Sequence, residues 1–428
     1  MRKIIFIMIV CFSFAHNSFS QNNYNWITPN KTYLKLFINE DGIYRISRTD
    51  FVNAGINTGT INPRTVKVLY KGEEIPIFFQ GEDDGVFDAS DYFDFYGVRN
   101  YGGPTKHRDA NTNAVLYTTN EYYNLYSDTS SYWVGWEGSN GSRMQRSAYV
   151  SPLNFPDNNY YKRVHFEKDV FYNLGETINP NSDYRYFSNE IVNGEGWFWR
   201  FLTTNESLED TTFINDLSPS ASLCSLKVFI KPVSFTNQIP QDEHRIEILI
   251  NNTVIDTLFR NDLARIDTTI TFSSSFLTQG ATNSIKFHYI PIGNEYFYPG
   301  IFIDFFDLYY QRDFRIRNNN LQINLSGADT TSKKFTLENY TSSNPIFIYD
   351  IKNNIKIENG TGVSNTYTFT GKSNSTFRVL NEEITKKPVR ILSRQVRDLV
   401  NVNNAADYLI VYNKLFESQS EQLKNHRN

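Results

Sequence analysis

The sequence predicts a mainly β protein. Several antiparallel β modules in series, jelly-roll-like and immunoglobulin-like sandwiches, are followed by the truncated start of an α/β domain. Three observations carry this expectation. The 428 residues include 34 Phe and 28 Tyr, residue types that fit a pleated, half-buried surface. Short alternating runs recur with Asn, Asp and Gly between them. Only near the end does an apolar run lead into helical spacing. With 40% hydrophobic and 21% charged residues the chain can bury a large core, which excludes disordered and collagen-like classes. Its 42 Lys and Arg against 46 Asp and Glu leave no cationic excess for phosphates, so no nucleic-acid partner is expected.

Residues 1–20 read as a secretory signal: Arg2 and Lys3, an apolar stretch from Ile4 to Phe14, then the small residues Ser18 and Ser20. This predicts an exported protein, at the cell surface or extracellular. No later stretch reaches eighteen uncharged apolar residues, so the expected protein does not span the membrane.

Residues 21–100 are expected to form an N-terminal β domain. YLKLFIN and IYRIS flank Glu40-Asp41-Gly42, a hairpin signal, and VKVLY and IPIFF flank Lys71-Gly72. Between them, Ser47 and Asp50 mark the start of a short helix that Gly55 ends. Residues 101–130 read as a loop-rich linker with Pro104. Residues 131–312 hold seven or so strand candidates, including WFWRFL, LKVFIKPVSF, RIEILI and TVIDTLF across Asn251-Asn252, and GIFIDFFDLYY, which suits a jelly-roll-like sandwich. FIDFFDLYY is apolar on both faces, as an interior strand would be. Residues 313–388 carry six short strands in close succession and suit a small immunoglobulin-like domain. In residues 389–428, Leu392 to Val402 reads as helix or extended linker. DYLIVY then reads as a buried strand, and Leu415, Phe416, Gln419 and Leu423 fall at helical spacing. A strand and part of a helix cannot bury a core alone, so the sequence reads as a fragment of a longer protein.

The blocks YLKLFINEDGIYRISRTDFVNAGI, GEDDGVFDASDYFDFYG, IDFFDLYYQR and DYLIVYNKLFESQSEQLKNHR together resemble the N-terminal part of gingipain-type cysteine peptidases. The likeness is greatest to the surface proteases associated with the type IX secretion system. The resemblance implies that the β modules precede a caspase-like α/β peptidase domain beginning at DYLIVY, with the Cys/His dyad beyond residue 428. It also implies protein or peptide substrates, the downstream peptidase domain as a partner, and contact with export-machinery components. No residue of this chain matches the dyad, so no catalytic residue is assigned.

The residues themselves agree with that absence. Once Cys11 leaves with the signal, Cys224 is the remaining cysteine, set among Leu223, Leu226 and Val228 as a core residue would be. Nor does any of the six histidines sit beside a cysteine; His426 reads as a solvated helix residue. No cofactor is required. One segment could hold Ca2+: Asp84-Gly85 with Asp88 and Asp91 reproduces the second half of a calcium loop, and Glu82 stands where an earlier ligand belongs. The same acidic residues could instead cap their own turn. Trp197 and Trp199, two apart on one strand, would share a face, with Trp133 and Trp136 in another strand region. Such a face packs a core or stacks on sugar rings. Asp304 and Asp307, inside an apolar strand, need partners, for which Arg312 and Arg315 are the candidates. A secreted binding or scaffold module, docking a glycan or an export partner without catalysis, is the alternative function.

Overall fold

The structure is a computed structural model that describes residues 26–427 except 109–114, 120–121, 125, 148, 173–183, 187–195, 237–242, 262–264, 291–298, 342, 344, 399–400, 402 and 407. The expected signal at 1–20 lies outside the described residues. The protein is mainly β, with several antiparallel sheets. Among the described residues no helix is long and apolar enough to cross a membrane.

Residues that tolerate a left-handed backbone set the tight reversals. Lys71 and Gly72, at φ of +50° and +93°, join Lys67–Tyr70 to Glu73–Ile75. Asn251 and Asn252, at +48° and +64°, join His244–Ile250 to Thr253–Arg260. Both match the turn chemistry that the strand twist requires. The Asp41-Gly42 step does not make the predicted hairpin. Thr32–Ile38 pairs with Ser130–Gly135 and Arg390–Gln395, whereas Gly42–Ser47 pairs with Tyr92–Gly97 in another sheet. Asp41 explains the difference: its carboxylate leaves the turn to accept from the Arg99 N–H at 3.0 Å and the Tyr101 hydroxyl at 2.8 Å. The chain therefore turns a corner between layers.

The first sandwich sets a five-stranded sheet, ordered Arg390–Gln395, Thr32–Ile38, Ser130–Gly135, Lys67–Tyr70 and Glu73–Ile75, against Gly42–Ser47, Tyr92–Gly97 and Phe78–Gln80. Leu34, Leu36, Val68 and Val134 from one layer meet Ile46, Phe79, Phe93 and Phe95 from the other. The helix Arg48–Asn53 buries Phe51 against this core, and Asp50 accepts from the Ser47 N–H at 2.7 Å. Two members of this sheet, Ser130–Gly135 and Arg390–Gln395, come from outside 21–100. Leu392 to Gln395 is thus an edge strand of the first sandwich and not a helix. Within the expected loop, Pro104–Arg108 pairs with Val115–Thr119.

The second sandwich is built on Ile301–Asp313, flanked by Asn159–Glu167 on one side and Leu223–Pro232 on the other, as its two apolar faces predict. Ile266–Ser273 extends this sheet. The facing sheet runs Ser207–Ile214, Ala281–Tyr289, His244–Ile250, Thr253–Arg260. Leu226, Val228, Ile246, Ile248, Phe287 and Phe306 fill the space between. The third unit pairs Gln145–Ser147, Ile355–Ile357, Phe347–Asp350, Thr376–Leu380 and Asn320–Asn324 in order, and its second sheet is Ser332–Glu338, Thr366–Lys372 and Thr361–Val363. At its centre Phe335 stacks on Phe369, and Phe377 meets both edge-on.

Residues 408–412 are not a strand. Leu409 and Val411 are 80% and 88% exposed, and no sheet of the described residues pairs with them. The predicted terminal helix does form, as Glu417–Arg427, but Leu415 and Phe416 stay exposed and only Ser420 is buried.

Candidate functional site

The alternation Arg163-Val-His165-Phe-Glu167-Lys-Asp169 puts four ionisable side chains on one face of the Asn159–Glu167 strand and its extension, while Val164 and Phe166 turn to the core. The partner strand places Asp307 directly opposite His165. One imidazole nitrogen, Nδ1, meets Asp307 Oδ1 at 2.7 Å, and the other, Nε2, meets Glu167 Oε2 at 2.7 Å. The Arg163 Nε lies 2.8 Å from the same Asp307 oxygen. Tyr122 covers the imidazole, ring centroids 4.0 Å apart, and the Tyr123 hydroxyl donates to the Glu167 carbonyl at 3.4 Å. Arg99 lies over Tyr101, Tyr122 and Tyr123, and Tyr101 donates to Asp41. The cluster thus fastens Arg99, Tyr101, Tyr122 and Tyr123, and through them Asp41 of the first sandwich, to the second.

Burial pulls the His165 pKa down, but the hydrogen bonds to Asp307 and Glu167 outweigh it and raise the value above its usual 6.5. Asp307 is held below the carboxylate range: burial raises it, and His165 and Arg163 more than reverse that. Asp169 goes the other way, pushed up to about 6 by burial and then by the Glu167 charge. An imidazole bonded to a carboxylate at each nitrogen is an imidazolium clamp, with no nitrogen left to act as a base on a nucleophile. Its folded value is raised, so its stabilisation is complete below about pH 6.5 and fades as pH rises through the folded value. Asp169, raised to about 6, gives its stabilisation fully only below about pH 3.9 and loses it as pH approaches 6, so it lies below the window in which His165 titrates. Between pH 6 and 8.5 the melting temperature is expected to fall more steeply in the natural protein than in His165→Gln. Equal slopes would rule the clamp out.

The sequence-predicted sites fare differently. Glu82 is turned into Arg143, with Nη2 to Oε2 at 2.8 Å. Asp84 accepts from the Val86 N–H at 2.9 Å, and Asp91 from the Asp88 N–H at 2.7 Å. Asp88 is exposed, whereas Asp91 is buried against Gly81, whose φ of +97° and lack of Cβ make room for its carboxylate. Among the described residues no group of three or more His, Cys, Asp or Glu is arranged to hold a metal ion. A calcium ion that used Glu82 would have to displace Arg143. Adding millimolar Ca2+ and then a chelator tests the loop: a Ca2+-dependent rise in melting temperature that is lost in Asp84→Asn would place the ion there, and an unchanged melting temperature would leave these acidic residues as caps of their own turn.

Cys224 is buried, its thiol pushed up to about 11 by burial. Asp304 is buried in its strand. Asp307 pairs with Arg163 and His165, not with Arg312 or Arg315, because alternate residues of one strand face away from each other's neighbours and the cross-strand position belongs to His165. Arg312 and Arg315 converge on Asp216 instead. Trp197 and Trp199 do not form a shared outer face: the strand breaks at Trp199, which stacks on Phe306 in the core at 5.5 Å, while Trp197 packs on Tyr172. Sequence reasoning passed over His165, yet the Arg-x-His-x-Glu-x-Asp alternation was a readable sign of a polar strand face.

No family model matches the chain, and no curated protein matches it. Among solved structures, the dimeric latent PorU from Porphyromonas gingivalis is similar, with a TM-score of 0.55 and 12% identity, over 86% of this chain and 33% of that one. The chain thus spans about a third of the PorU chain's length, and at this identity the likeness concerns the fold. The CBM36-1 domain of a multidomain xylanase from the hindgut metagenome of Trinervitermes trinervoides matches over 34% of this chain and 96% of that one at 10% identity, but its TM-score of 0.20 carries no argument.

Proposed function

We propose that this chain is the non-catalytic N-terminal portion of an exported gingipain-like cysteine endopeptidase, a β scaffold that carries and orients a peptidase domain encoded beyond residue 428. The observation that carries the reading is the PorU-like arrangement of β units along most of the chain. The resemblance of the four sequence blocks to gingipain-type peptidases is in keeping with that likeness. The site chemistry supports a scaffold role. A cysteine peptidase needs a thiolate beside a histidine and donors for an oxyanion. Here the thiol of Cys224 is buried and held protonated, and His165 is clamped between two carboxylates. Tyr408, Leu409, Val411 and Tyr412, exposed and unpaired by any sheet of the described residues, are the apolar run that an α/β domain would take up as a strand and cover.

Sequencing the source DNA past the codon for Asn428 tests this reading. The expected result is an open frame of a few hundred codons with a His and a later Cys, each after an apolar strand. An immediate stop codon would leave a secreted scaffold without peptidase function.

A further inference from the structure

The outer face of the five-stranded sheet in the first sandwich bears a cleft of about 610 Å³ that the scaffold role does not use. Tyr33, Lys35 and Phe37 point to this face from Thr32–Ile38, and Trp133 and Gly135 from Ser130–Gly135, since Leu34, Leu36 and Val134 point to the core. Trp26 and Tyr33 line the cleft. Trp133 braces both from behind, edge-on, with centroids 6.5 and 6.3 Å away. The Tyr33 hydroxyl is fixed by the Thr28 N–H at 2.9 Å. Gly135 makes room for the Tyr33 ring, which packs over it: a Cβ there would lie 2.9 Å from that ring. A glycine inside a strand commonly marks such a close approach.

The rim is polar and balanced. Lys31 pairs with Glu137 at 3.4 Å, and both are well exposed. Across the cleft Lys67 donates to Ser139 at 2.8 Å, and Glu74 accepts from the Ser142 N–H. Glu137 holds a φ of +90°, a backbone position that a side chain rarely adopts. Strain of this kind is retained where a side chain has a task.

We infer that this cleft binds a saccharide, a pyranose ring lying on Trp26 with its hydroxyls on the Glu137, Lys31, Lys67 and Glu74 rim. The chemistry separates this ligand from the others. Two ammonium groups against two carboxylates leave no net charge to select phosphate or an acidic peptide. An extended peptide adds to a sheet edge, whereas the cleft lies on a sheet face. A ring with an apolar C–H face and polar edges matches an aromatic wall with a few fixed donors and acceptors.

Isothermal titration calorimetry of the purified chain with chitotetraose and with cellotetraose tests the inference. A saturable heat of binding with at least one of them is expected, abolished in Trp26→Ala. Glu137→Gly relieves the left-handed strain, so it is expected to raise the melting temperature while weakening binding by about tenfold, the loss of one charge-assisted hydrogen bond. Failure of both tetrasaccharides to bind at millimolar concentration would overturn the site, as would binding that survives both substitutions or equal binding of tetra-alanine. None of these results bears on the peptidase reading, which does not use this face.

Discussion

Asp216→Asn is expected to destabilise the protein by about 3 kcal/mol, read as a lower urea midpoint for the transition of the second sandwich. The Asp216 side chain is fully buried and stands among three arginines. Arg312 Nη2 lies 3.0 Å away, Arg317 Nη2 2.5 Å and Arg315 Nη1 3.8 Å. Arg312 also donates to Tyr160 at 3.1 Å, and Arg315 reaches Glu338 at 2.6 Å. Burial alone would raise the Asp216 pKa, but the Arg317 and Arg312 hydrogen bonds bring it below the usual carboxylate range. The backbone there has a φ of +54°, which asparagine tolerates about as well as aspartate, so the substitution removes charge and little else. Three guanidinium groups then share a neutral amide. Arg315 and Arg317 are half-exposed and partly screened, which keeps the effect near the lower end of buried-pair losses. In Arg312→Met/Asp216→Asn the two losses are expected to be less than additive. Full additivity would mean the groups do not interact.

Asp94→Asn is expected to cost about 3–5 kcal/mol and to loosen the first sandwich from the third unit, because the carboxylate is buried on every side. Arg45 grips it with both prongs, Nε to Oδ1 at 2.8 Å and Nη2 to Oδ2 at 2.9 Å. Tyr349 from the third unit donates to the same Oδ2 at 2.6 Å. Arg45 is sandwiched in turn, its guanidinium 3.6 Å from the centre of the Tyr92 ring and its Nη1 2.6 Å from Glu382. Ile43, Phe78, Met144 and Leu380 seal the junction against water. Beside it Lys356 lies 3.5 Å over the Phe78 ring, its amine lowered to about 8 chiefly by burial. Replacing Asp94 leaves Arg45 short of its counter-ion in a low dielectric, so the loss exceeds that of one neutral hydrogen bond. Limited proteolysis is expected to cut Asp94→Asn near the junction at urea concentrations where the natural protein resists. Unchanged resistance would show that apolar contacts alone hold the two units together.

These junctions explain what the sequence could and could not reveal. Period-2 runs and turn residues identified most strands, because a strand's pattern and an Asn-Asn or Lys-Gly reversal are local. The interior strand Ile301–Asp313 was legible from its two apolar faces for the same reason. Pairing was not local. Thr32–Ile38 finds Arg390–Gln395 at the far end of the chain, and Tyr349 finds Asp94 across 255 residues. Nothing in either segment names its partner. Asp41-Gly42 misled because its turn chemistry served a corner once Asp41 had found Arg99 and Tyr101. DYLIVY misled because an apolar run becomes a strand only where a sheet receives it. The His165 cluster was half legible: its strand face could be read from the alternation, but Asp307 and Tyr122 could be supplied only by the fold.

The most direct test of a scaffold without its own catalysis is a peptidase assay on purified residues 21–428, with a mixed-sequence fluorogenic peptide library and a reducing agent. The account predicts no turnover with the reductant present or absent, since Cys224 is buried with its thiol pushed up to about 11. Thiol-dependent cleavage that disappears in Cys224→Ala would contradict it and place a peptidase centre within these β sandwiches.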